Sequence, residues 1–261
     1  MSRAIATARR GRPTTPLEWA PTPSIVPRSA ESPTLQQFAY ESLRQALLTG
    51  MFKPGQMIAL RPLAAAMGLS ATPVREALRQ LVQDGAVELE ARSGFRIAVI
   101  PPARYLQILE MRVRLECLAL EMAMPAVDRA LISQLRAFND RFHQEGSVHA
   151  RHALPHNHAL HFGLYELSGA PDLVKTIASI WVQIGPAINF VVGDKDDLER
   201  GYATHSSLLD ALKRGDSRKA ISMLEHDLRQ SAHAIVRGLK ALSAGGSNDA
   251  NAAQAPALVR R

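Results

Sequence analysis

A few short segments of this chain place reactive side chains at regular spacing. In "TPVREALR" (72–79), Arg75 and Arg79 stand one helical turn apart and project together from a helix whose apolar stripe is Val74, Ala77, Leu78, Leu81 and Val82. Two permanently charged guanidiniums behind a helix front rich in unpaired N–H groups are suited to phosphates and guanine edges. In "HNHALH" (156–161), Asn157 and His161 are i and i+4 and share a helix face. His205 opens a later helical segment and His226 lies in the one after it. Imidazole nitrogens suit zinc, nickel and related ions, and they also serve as plain polar lining of a ligand pocket. Arg112 offers a bidentate donor for a carboxylate, or one half of a structural salt bridge with a neighbouring helix.

Motifs for catalysis are missing. The His152/His156 pair encloses Pro155, which disfavours a regular helix carrying both, so there is no metalloprotease-type pair. No G-x-S-x-G elbow, glycine-rich phosphate loop or paired catalytic carboxylates stand out. Cys117 is the only cysteine, which excludes an intrachain disulfide and a cysteine-based zinc site and fits a reducing compartment. The formal net charge of +7 favours an anionic partner. No apolar run approaches the roughly 18 residues of a membrane span, and the N-terminal arginines precede no apolar signal core.

The elements that must position these side chains follow from periodicity. Residues 1–33, with Arg3, Arg9, Arg10, Arg12 and Arg28, read as a disordered basic arm, and 243–261 as a low-complexity tail. Residues 34–100 hold helices near 34–49, 61–67 and from Thr72 onward, then strands near 86–90 and 95–99 joined through Ser93 and Gly94. Thr72 suits an N-cap with Pro73 in the first helical position. Helix, helix, turn, helix, hairpin is the order of a winged helix-turn-helix. Past a hinge at "VIPPAR" (99–104), residues 103–242 are helical in texture, in segments near 103–124, 128–144, 154–168, 171–191, 195–213 and 217–241.

On "LRQALLTGMFKPGQMI", "LAAAMGLSATPVREALRQLVQDGAVE" and the wing glycine, residues 34–100 resemble the DNA-binding domain of the GntR family of bacterial regulators. The resemblance implies DNA contacts at Arg61, Ser70, Thr72, Arg75 and the Gly94 wing, with Arg79 on a phosphate. Ala71 stands where the family often has a base-reading arginine, which implies a different or less stringent operator at that step. "YLQILEMRVRLECLALEMA" (105–123), with Arg112, Leu115 and Glu116 on an Arg-x-x-Leu-Glu pattern, resembles the opening helix of the FCD ligand-binding domain of the FadR branch. "LHFGLYELSGAPDLVKTI" (160–177) and "HSSLLDALKRGDSRKAISMLEH" (205–226) extend that likeness, and six helices place it nearer the VanR-like subgroup. Many FCD domains hold a divalent metal on Asp or Asn, a His four residues on, and two later histidines. By position these are Asn157, His161, His205 and His226. Asn157 is a neutral first ligand, and the step from His205 to His226 is one residue shorter than usual, enough to turn His226 by about 100°. In some members the metal and an arginine at the position of Arg112 together receive a small carboxylate effector.

The expectation is therefore a mainly α protein: an N-terminal winged helix-turn-helix domain followed by an all-helical bundle of about six helices. It would be a cytoplasmic, sequence-specific transcriptional regulator, acting as a homodimer on double-stranded DNA with two-fold half-sites. Repression, relieved when a small organic acid binds near a divalent metal such as zinc or nickel, is the expected mode; the effector must favour one of two states. The competing readings are a metal-dependent enzyme with a fused nucleic-acid-binding module, and an architectural DNA-binding protein whose helical domain has no cavity.

Overall fold

The first helix forms where the chain caps itself. Thr34 Oγ1 accepts from the Gln37 N–H while the Gln37 side chain accepts from the Thr34 N–H, so two orphan donors are satisfied reciprocally. In a computed structural model describing residues 34–90 and 94–252, α1 (Leu35–Leu48) buries Ala39, Leu43, Ala46 and Leu47. The proposed arm at 1–33, Ser93 of the wing tip and the last residues, 253–261, lie outside the described residues. α1 packs against α3 (Ala71–Gln83), whose inward stripe is Val74, Ala77, Leu78 and Leu81. Between them, α2 (Leu60–Ala66) ends in a turn where Gly68 takes φ 67, a backbone region that glycine enters without a Cβ penalty.

The wing is an antiparallel pair, β2 (Val87–Glu90) and β3 (Gly94–Ile97), with Leu89 opposite Phe95 and Glu90 opposite Gly94. A further strand, β1 (Met57–Ile58), pairs with the other edge of β3 and gives the order β1-β3-β2. Sequence periodicity missed β1 because two residues are too few to show alternation.

Among the described residues the body holds six α-helices: α4 (Pro102–Ala123), α5 (Arg129–Val148), α6 (Ala153–Tyr165), α7 (Pro171–Ile188), α8 (Lys195–Lys213) and α9 (Ser217–Ala252). Pro102, read as part of a hinge, is the first residue of α4, where its missing N–H has no intrahelical partner to lose. α9 continues past 242 to Ala252, into residues read as a tail. α8 packs on α5 and α9, α4 on α9, and α6 on α5. No helix among the described residues is long and apolar enough to cross a membrane.

α7 joins the two halves. A Cβ on Gly185 would sit 2.0 Å from the Leu47 carbonyl oxygen, so only glycine lets α7 approach the end of α1 this closely. One turn on, Asn189 Nδ2 donates to the Gly50 and Phe52 carbonyls at 2.7 and 3.0 Å. One apolar core runs through head and body, so the head is docked on α7 by packing as well as by these bonds.

Candidate functional site: a reading face and a buried histidine cavity

The front of α3 is left open. Ser70 occupies the N-cap with extended backbone, yet its side chain makes no capping hydrogen bond. The helix thus begins before Thr72, which corrects the expected cap: Thr72 and Pro73 lie in the first turn, where Pro73 forfeits no intrahelical bond. Ser70, Thr72, Arg75 and Arg79 are exposed along this helix, and Arg61 is exposed on α2. Arg79 leans on Glu76 at 2.9 Å, and Gly94 lies at the start of β3, where neighbouring Arg96 pairs with Glu90 at 2.6 Å. Unpaired first-turn N–H groups and exposed guanidiniums form a surface able to take phosphate and base edges.

Within the body, His161 from α6, His205 from α8 and Asp227 from α9 converge, with ligand atoms all within 4.8 Å of one another. His161 Nε2 lies 3.4 Å from Asp227 Oδ2, and His205 Nε2 lies 3.3 Å from Oδ1. They line a cavity of ≈ 30 Å³, room for about one or two water-sized groups, together with Arg112, Asn157 and Trp181. Of the four positions implied for a metal, Asn157, His161 and His205 reach this cavity. His226 does not: it is exposed on α9, and Asp227, about 100° further round the helix, takes the inward place.

The outer hydrogen bonds decide which ring nitrogen faces inward. Tyr165 donates its only proton to Glu116 Oε2 at 2.5 Å, so its oxygen accepts from His161 Nδ1–H at 3.0 Å. Asn139 Nδ2 donates to the Tyr202 carbonyl and to Ser206 Oγ, which leaves Oδ1 to accept from His205 Nδ1–H at 3.0 Å. Burial pushes His161 down to about 3, against the pull of Asp227, so this ring is neutral and turns a bare Nε2 lone pair inward. Burial works to raise Asp227, but His205 first and then His161 and Arg112 hold it below the usual carboxylate range. The neutral His161 ring therefore turns a nitrogen lone pair toward the buried Asp227 carboxylate, an arrangement that costs free energy until a cation lies between them. Two imidazoles and a carboxylate, with each ring oriented by a partner at Nδ1, are a donor set that can hold a divalent metal ion.

Arg112 is buried and lines the same cavity. Its Nε and Nη2 donate to Glu116 at 2.7 and 3.3 Å, so its ion pair lies within α4 rather than with a neighbouring helix. Glu116 also accepts from Trp181 Nε1 at 3.0 Å, and the guanidinium carbon stands 4.8 Å from the centre of the Trp181 ring. Sequence reasoning missed Asp227, Tyr165, Asn139 and Trp181 as parts of this network. Tyr165 lies four residues after His161, a spacing that could have found it; Asn139 comes from α5, 66 positions before His205, and carried no local signal.

The family model for bacterial regulatory proteins of the gntR family matches residues 35–97, and that for the FCD domain matches 107–230. An uncharacterized HTH-type transcriptional regulator in an unstable DNA locus of Streptomyces ambofaciens is 29% identical over 192 residues, covering 73% of this chain and 80% of the relative. The HTH-type transcriptional regulator McbR of Escherichia coli (strain K12) is 25% identical over 192 residues, 72% of this chain and 87% of the relative. The solved structure of E. coli McbR/YncC has a TM-score of 0.72 at 23% identity, covering 79% of this chain and 99% of that one, a likeness of fold.

Proposed function

We infer the function from one premise: the chain belongs to the bacterial gntR regulatory family and joins its DNA-binding domain to an FCD domain. It is a transcriptional regulator and not an enzyme, as its relatives are. Beyond that premise, we propose a cytoplasmic homodimeric repressor that holds a two-fold operator through Arg61, Ser70, Thr72, Arg75, Arg79 and the Gly94 wing. The FCD cavity binds a divalent metal, zinc or nickel foremost, on His161, His205 and Asp227 with Asn157 beside them, and takes a small carboxylate effector. When bound, the metal supplies a positive centre for carboxylate oxygens. Arg112 stands near two buried carboxylates, Glu116 and Asp227. A divalent cation adds positive charge to this site and makes it attractive to an organic anion.

The observation that carries this reading is the convergence of His161, His205 and Asp227 with both Nδ1 atoms already engaged. Its link to DNA is α7. Ile188, Val191 and Val192, at and just beyond its end, line the cavity, while Gly185 and Asn189 hold the head. An effector too large for ≈ 30 Å³ must displace that wall, and the displacement reaches the reading heads through the same residues. The test pairs elemental analysis with operator titrations. His161→Ala should lose metal and effector response while keeping effector-free operator affinity. Purified wild-type protein that holds no metal and gains no thermal stability from zinc or nickel would sink the metal reading; a metal-free variant that still releases DNA normally would sink its link to the switch.

A further inference from the structure

A second concavity lies between head and body, away from the histidine cavity. It is an open groove of ≈ 520 Å³, within the range of small-molecule sites, with one wall from α1 and the other from α6 and α7. Its floor and sides are apolar: Leu48 from the head, and Phe162, Val174 and Ala178 from the body. Two cations border it. Arg44 is only 24% exposed, and its ion pair with Glu41 spans 3.7 Å, too long for a good hydrogen bond. Lys175 is exposed on α7, and Glu166 is the single carboxylate among the lining residues. His158 also lines the groove, stacked on Phe162 at 4.3 Å, and its buried Nε2 has no hydrogen-bond partner in the protein. A buried polar atom without a partner is uncommon and points to a group not supplied by the chain.

We propose that this groove is a second effector site, taking an organic anion with a flat or short apolar body. The anionic group meets Arg44 and Lys175, and the apolar body lies against Leu48, Phe162 and Val174. Because the walls come from both domains, an occupant fixes the angle between head and body, and by reciprocity operator DNA alters its affinity. This site does not depend on the metal reading. The neighbouring residue Asn157 turns to the other cavity, so the two sites lie on different sides of α6.

The test is a fluorescence titration of the full chain, stripped with a chelator, using 2-naphthoate and its uncharged counterpart 2-naphthol. Naphthoate should bind once per chain, about tenfold tighter than naphthol, because a charge-assisted contact is at stake. Arg44→Gln and the exposed substitution Lys175→Gln should each weaken it several-fold. Val174→Trp should abolish it by filling the groove, with circular dichroism reporting that the fold is kept. His161→Ala should leave it unchanged. Equal affinity for naphthol, undiminished binding in Lys175→Gln, loss of binding in His161→Ala, or no binding at millimolar naphthoate would each overturn the proposal.

Discussion

On the front of α3, Ser70, Thr72, Arg75 and Arg79 stand in solvent, and Ser70 and Arg75 bring little to the fold; in the body, His161, His205, Asp227 and Arg112 are buried and each is held by a second polar group. The difference is one of reference state. An exposed side chain waiting for DNA is hydrated in the free protein, so its removal changes binding and hardly touches stability. A buried polar group has already given up water, so removing its partner leaves it stranded. The reading face and the cavity should therefore respond to mutation in different observables.

The largest expected effect is at Glu116, which accepts from Arg112, Tyr165 and Trp181 at once. Glu116→Leu strands a buried guanidinium and should lower unfolding stability by about 3–5 kcal/mol. Urea unfolding of wild type, Glu116→Leu and Glu116→Gln measures it. A loss below about 1 kcal/mol for Glu116→Leu would erase the contrast between the two regions.

Arg75→Ala makes the opposite demand. Specific operator affinity should fall by about 1–3 kcal/mol, while stability stays within about 0.5 kcal/mol of wild type. Anisotropy on a selected operator, paired with urea unfolding, checks both halves. Wild-type affinity would remove Arg75 from the reading face.

The same contrast explains what could be read in advance. Residues 60–97 hold the proposed reading face in one continuous stretch, so the order of stripe and turns displays its geometry directly, with only the cap of α3 misplaced, at Thr72 rather than Ser70. The cavity is assembled from all six helices of the body, α4 to α9, and there periodicity must be right to a single residue, because each step turns a helix by about 100°. Chemistry and family position point to His226 as the inward residue. The apolar stripe of α9, through Ala220, Leu224, Leu228 and Ile235, already placed Asp227 on the buried side and His226 off it. The Nδ1 partners were harder: Asn139 becomes one only through the packing of α5 on α8.

Acid should separate the regions as well. Burial, with Arg44 adding to it, pushes His158 down to about 4. The unfolded ring takes up its proton near about 6.5. Between those values acid favours the unfolded chain, so stability present at neutral pH falls as pH drops from about 6.5 toward 4. By pH 5 the His158 contribution should be about 2 kcal/mol. His158→Phe should lose less stability between pH 7 and 5 than wild type does, by urea unfolding. Equal losses would show that His158 is free to protonate in the folded state.

The smallest effect gives the finest contrast, because it compares like with like. Ser70 and Asp128 are both N-cap residues, of α3 and α5. Asp128 accepts the Leu131 N–H at 2.7 Å, whereas the Ser70 side chain makes no capping bond at all. A cap that bonds is worth about 0.5–2 kcal/mol against alanine. Asp128→Ala should therefore cost about 1 kcal/mol of stability, and Ser70→Ala no more than a few tenths. If the Ser70 hydroxyl is kept for a DNA phosphate, Ser70→Ala should instead weaken operator binding and do so for all sequences alike, since a phosphate contact carries no base preference. A stability loss for Ser70→Ala as large as that for Asp128→Ala would mean that Ser70 caps α3 in solution and that the front of the reading helix is not held open for DNA.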